Sequence, residues 1–150
     1  MMSKRLAKSR QKIQRGFTLI EIMVVVAIIA ILGAAVVPLI MDRPEQARQV
    51  KAKQDIKSIS AALDLYRLDN FNYPSTDQGL EALVEKPTGD PEPANWKDSG
   101  YLQKLPKDPW NREYIYLSPG ETGDFDIISL GRDGQEGGDG FDQDLTQLTD

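Results

Sequence analysis

The sequence predicts an α+β fold in which a long N-terminal helix packs against a small antiparallel sheet. Three stretches of the 150 residues predict it. An apolar run extends from Phe17 to Ile40. An amphipathic stretch continues to Leu68. Two β-rich segments, Tyr114 to Leu117 and Phe125 to Leu130, are joined by the turn-rich Ser118-Pro119-Gly120-Glu121-Thr122-Gly123. Two short strands make a marginal sheet alone, and the helix is the obvious surface for them to pack on.

The first element is a basic leader, residues 1–16. It carries Lys4, Arg5, Lys8, Arg10, Lys12 and Arg15 and no acid. The apolar run follows over 17–40. As a helix it would be about 36 Å long, against roughly 30 Å of bilayer hydrocarbon. The leader places its own end in the cytoplasm by the positive-inside rule. An ordinary cleaved signal is the competing reading, with Ala34-Ala35 as its small-residue site. The run continues past that site through Val36, Val37, Leu39 and Ile40, which favours a span.

One carboxylate, Glu21, interrupts the run. An acid at the centre of a membrane helix costs roughly 2.5–3.5 kcal/mol on insertion scales, and less near the interface. A helix N-terminus favours a nearby carboxylate within the same chain. Such an acid calls for a partner, and snorkelling to the headgroups is the plainer alternative.

Residues 41–68 continue the helix. Val50, Ile56, Ile59, Leu63 and Tyr66 fall mostly three or four apart, with Ala52 and Ala62 alongside and charged residues between. That stripe predicts a face packed on its own domain. Gly33, Pro38 and Pro44 predict kinks. Asp69-Asn70-Phe71-Asn72-Tyr73-Pro74 ends the helix and opens a domain over 69–150. Ser75-Thr76-Asp77 predicts the cap of a short helix over 78–84. Trp96, Tyr101 and Leu102 are apolar anchors in a polar connection, and Leu105 to Trp110 bears another turn.

Composition narrows function. The net charge is −5. Without the six basic residues of the leader it becomes about −11, which argues against a nucleic-acid surface. There is no Cys and no His. Disulfides, Ser-His-Asp and Cys-His catalysis, and His-ligated metals are therefore excluded. A hydrolase built on carboxylates alone would need two convergent acids of unequal pKa.

Residues 130–144 interleave acids with glycines. Hard cations such as calcium take six to eight oxygens, and glycines let backbone carbonyls converge. An EF-hand fits poorly: with Asp133 in its first position, positions three and five are Gln135 and Gly137. Composition alone equally describes a solvated acidic tail.

The order of basic leader, Gly16, Phe17-Thr18-Leu19-Ile20-Glu21 and apolar helix resembles the signal of type IV pilins and pseudopilins. Asn72-Tyr73-Pro74, Asp77-Gln78-Gly79-Leu80-Glu81-Ala82-Leu83, Leu105-Pro106-Lys107-Asp108-Pro109-Trp110, Tyr116-Leu117-Ser118-Pro119-Gly120 and Ser129-Leu130-Gly131 extend the likeness, to the major pseudopilins of type II secretion. The resemblance implies cleavage by a prepilin peptidase between Gly16 and Phe17 and N-methylation of Phe17. It implies that Glu21 of one subunit pairs with the Phe17 amine of the next. It implies calcium in the loop, on the side chains of Asp133 and Asp142 and backbone oxygens of Leu130 and Gln135, with Asp139 and Asp144 in reserve. The implied role is non-enzymatic: a homopolymeric periplasmic fibre growing from the inner membrane, single-pass in lipid. Its implied partners are minor pseudopilins and inner-membrane assembly platform proteins, and its work is to help drive folded exoproteins through a secretin. A surface type IV pilin is the alternative destination.

Overall fold

The computed structural model describes residues 16–41 and 43–149, with side chains for 16–34 and 43–149. The leader expected over 1–16 lies outside the described residues, Gly16 apart. The chain forms two compact units, Met1–Met41 and Asp42–Asp150.

In the first unit, Thr18 precedes helix α1, Leu19–Met41. Gly33 and Pro38 both lie within it. Its described large apolar side chains are exposed: Leu19 is 82% exposed and Ile31 71%. Among the described residues no helix is long and apolar enough to cross a membrane. The 17–40 run expected to do so includes 35–40, whose side chains lie outside the described set.

The second unit opens with α2, Arg43–Asn70. Pro44 sits in its first turn, where a backbone donor would have no helical partner. Ala52, Ile56, Ile59, Leu63, Tyr66 and Asn70 are buried at alternating spacings of four and three, the stripe an α-helix needs. Val50 does not join them. It is 65% exposed, because two residues before Ala52 is about 200° round the helix. The helix closes with Phe71 in the left-handed region (φ 69), its N–H donating to Arg67 O at 2.7 Å.

The expected short helix over 78–84 contracts to one 3-10 turn, Leu80–Leu83. Ser75 and Gln78 cap the preceding turn reciprocally. Gln78 N–H donates to Ser75 Oγ at 3.2 Å and Ser75 N–H to Gln78 Oε1 at 3.0 Å. Gly79 then leaves helical geometry at φ 64, so the turn cannot run on as an α-helix.

The sheet is antiparallel in the order β1-β2-β3: β1 is Ile115–Leu117, β2 Asp126–Ser129 and β3 Leu145–Thr146. Tyr116 faces Ile127, and Ser129 faces Leu145. The first two strands stand where the sequence predicts them. The third was not expected, since two residues in an acidic stretch show no alternation. Helix α2 packs on β2, β3 and the 3-10 turn. Ile127 and Leu145 complete a core with Ile56, Ile59, Leu63 and Leu83. Trp96, Tyr101 and Leu102 pack against its edge, as expected.

Candidate functional site

Two places carry chemistry, one in each unit. At the head of α1, Thr18 and Glu21 form a capping box. Glu21 N–H donates to Thr18 Oγ1 at 3.3 Å, and Thr18 N–H donates to Glu21 Oε2 at 3.2 Å. The Thr18 hydroxyl also donates to Oε2, at 3.3 Å. Glu21 thus satisfies the first orphan amide of the helix, while Phe17 beside it is 82% exposed. The role of Thr18 was missed in the sequence, although Thr-x-x-Glu before an apolar run is its usual signal.

The second place is the loop from Leu130 to Asp144, between β2 and β3. Its two arms are joined by Arg132 N–H donating to Phe141 O at 3.0 Å. Gly131 is buried at φ 57, and a Cβ there would stand 2.7 Å from the carbonyl oxygens of Asp142 and Gln143. Only glycine lets the arms close so tightly. Leu130 O accepts Gly134 N–H at 3.0 Å. Asp133 is exposed and takes Gln135 N–H on Oδ1 at 3.1 Å. Gln135 and Asp139 are exposed. Asp144 accepts Gly137 N–H on Oδ2 at 2.9 Å.

Asp142 is differently engaged. Arg132 grips it with a two-pronged fork, Nε to Oδ1 at 2.8 Å and Nη2 to Oδ2 at 3.0 Å. The hydrogen bonds from Arg132 hold the Asp142 carboxyl below the usual carboxylate range. So Leu130, Asp133 and Gln135 share one turn, and Asp142 stands on the opposite arm with both oxygens taken.

A buried hub anchors the loop. Asp108 receives Trp110 N–H at 3.0 Å, Arg112 N–H at 2.7 Å and the Ser129 hydroxyl at 3.1 Å. The Arg112 guanidinium bridges Asp108 to the carbonyl of Gly131. From α2, Gln49 Nε2 donates to Gly140 O at 2.7 Å. No short motif announces these long-range bonds.

Among the described residues no three Asp, Glu, His or Cys side chains gather as a metal-ligating group. A cation in the loop would rest on two carboxylates and backbone oxygens. The donor set is all oxygen, as calcium requires. One atom waits for a partner: Asp144 Oδ1 is buried without a hydrogen bond among the described residues. The loop fits calcium on those two grounds.

A capped, uncovered apolar helix ahead of an α+β domain with a glycine-hinged acidic loop defines a pilin-like subunit. The prokaryotic N-terminal methylation motif matches residues 11–37. The family of type II secretion system (T2SS) protein G matches residues 39–148, and the chain belongs to that family. A core protein G of Pseudomonas aeruginosa is 64% identical over 88% of this chain and 93% of its own length. That of Vibrio cholerae serotype O1 is 56% identical over 88% and 90%. The crystal structure of the major pseudopilin of enterohaemorrhagic Escherichia coli superposes with a TM-score of 0.63 at 43% identity, covering 71% of this chain and 91% of that one. The chain is accordingly a structural pseudopilin of type II secretion and not an enzyme, and the surface-pilin and hydrolase alternatives fall.

Proposed function

We propose that this subunit is cut between Gly16 and Phe17 by a prepilin peptidase, N-methylated on Phe17, and polymerised from the inner membrane into a periplasmic pseudopilus. The observation that supports this most is the methylation motif matched over residues 11–37, across a helix α1 whose described large apolar side chains are half or more exposed. Lipid would cover the 17–40 segment before assembly and neighbouring copies would cover it afterwards. Glu21 would then serve twice, capping its own helix through Oε2 and meeting the Phe17 amine of the next subunit. Minor pseudopilins and inner-membrane platform proteins are the further partners, and the growing fibre would help move folded exoproteins through a secretin.

The loop from 130 to 144 would hold calcium. Asp133 and Asp142 side chains and the Leu130 and Gln135 carbonyls form the proposed set, with Asp139 and Asp144 in reserve. Calcium would neutralise Asp133 and Asp142 and tie the two arms, the task a disulfide performs in proteins that have cysteines. The test of the central reading is mass spectrometry of membrane-extracted protein. A methylated Phe17 terminus is expected. A terminus near Ala35, or an intact Met1 in cells that hold the peptidase, would overturn it.

A further inference from the structure

We propose that Arg132 is a built-in competitor for calcium, holding Asp142 in the metal-free loop and setting the affinity at which the loop fills. The inference rests on the calcium reading above. Arg132 is the only basic residue in an acidic stretch, Leu130 to Asp144. Its fork engages both oxygens of Asp142 and sets a positive charge against that carboxylate, so an arriving cation meets repulsion there until the fork opens. The pair is weak enough to open. The Arg132 side chain is 49% exposed and that of Asp142 32%, and such pairs exchange readily with solvent and ions. The arginine feels the carboxylates of Glu45, on α2, and Asp133 as well as that of Asp142.

The backbone of the loop does not depend on this pair. Its arms are joined by Arg132 N–H on Phe141 O, and its outer turn is held by Gln49 on Gly140 O. Opening the fork therefore frees Asp142 without unmaking the loop. The empty loop keeps one compensating positive charge; the filled loop gains two charges from the metal and releases that one. Arg132 so acts as a stand-in cation in a stretch of five acids, Asp133, Glu136, Asp139, Asp142 and Asp144, before calcium arrives.

The experiment is calcium titration by calorimetry on the mature full chain in detergent micelles, with thermal melting in chelator and in saturating calcium. Arg132→Ala and Arg132→Gln are compared with the unaltered chain and with Arg67→Ala, which removes an equally exposed arginine from an ion pair elsewhere. Both Arg132 variants should bind calcium about three- to tenfold tighter. Both should melt lower than the unaltered chain in chelator and level with it in calcium. Arg67→Ala should leave the calcium affinity unchanged. Equal or weaker binding by the Arg132 variants, beside an unaltered chain that does bind, overturns the competitor role. An equal gain in Arg67→Ala reduces it to net charge and overturns it as well. Absence of calcium binding in every chain overturns the calcium reading beneath it.

Discussion

Asp126 holds a loop with a single carboxylate. It is 4% exposed and accepts the Thr122 hydroxyl, Glu121 N–H at 2.6 Å and Gln147 Nε2 at 2.8 Å. The Thr122 hydroxyl, above all, holds its carboxyl below the ordinary range, against the opposing pull of burial. The folded value is depressed, so its contribution is complete above the usual carboxylate range and is lost as pH falls through the folded value. Asp126→Asn should cost about 1–3 kcal/mol at neutral pH, because one of its two acceptor oxygens becomes an NH2 that faces other donors. It should also flatten the acid limb of stability. Melts from pH 7 to pH 3 check this, and an acid limb as steep as the unaltered chain's would remove Asp126 from it. At Glu21 the capping box separates two roles that a simple truncation would confuse. Glu21→Gln can still cap, since glutamine serves in a capping box, but it carries no charge. If the fibre needs the charge, both Glu21→Gln and Glu21→Ala insert and are cleaved normally yet fail to polymerise. Fibres from Glu21→Gln at the normal rate, counted by microscopy, would leave Glu21 as a cap alone. The sequence exposed Glu21 because one acid in an apolar run is conspicuous. It hid Asp108 and Asp126, whose significance lies in partners up to 21 residues away.

Helix α2 was the most legible element, because burial at spacings of three and four leaves a direct trace in residue type. The prediction failed only at Val50, an apolar residue on the wet face. Core positions should respond accordingly. Ile59→Ala or Leu63→Ala removes a side chain with no exposure and should cost about 2–5 kcal/mol. Leu65→Ala and Leu68→Ala, more than half exposed on the same helix, should stay within about 0.5 kcal/mol. Denaturant unfolding measures the difference, and equal costs at the two sets would mean that the assigned face is wrong. The sheet was legible in part. Its β1 and β2 segments carry β-branched and aromatic residues, but β3 is too short for any pattern and exists through its neighbours: Leu145 is held by the core and Thr146 by pairing to Ile128. The short helix failed for a local reason, the left-handed Gly79 at its start.

At the scale of the molecule, the 130–144 loop ties the C-terminal strand to everything before it. Composition left this stretch undecided between a site and a tail, because the closing bonds are made by backbone carbonyls and by Arg112 and Gln49, far away in sequence. If calcium fills it, a free concentration 100 times the dissociation constant should stabilise the domain by about 2.7 kcal/mol. Chelator should lower the melting temperature and open the C-terminal segment to protease, and Asp133→Ala or Asp142→Ala should mimic it. Magnesium should substitute poorly, since it demands a tighter octahedral shell. Identical melts in calcium, magnesium and chelator would leave the loop as a clasp of hydrogen bonds alone. The third strand also governs when the domain can become a solid body. Leu145 fills the floor of a core whose other wall is α2, made some 75 residues earlier. Until residue 146 has emerged, that wall lacks Leu145 and meets only β2 and the 3-10 turn. Contacts this distant in sequence form late. The core that α2 begins is therefore completed by the third strand, the last element of the chain to be made.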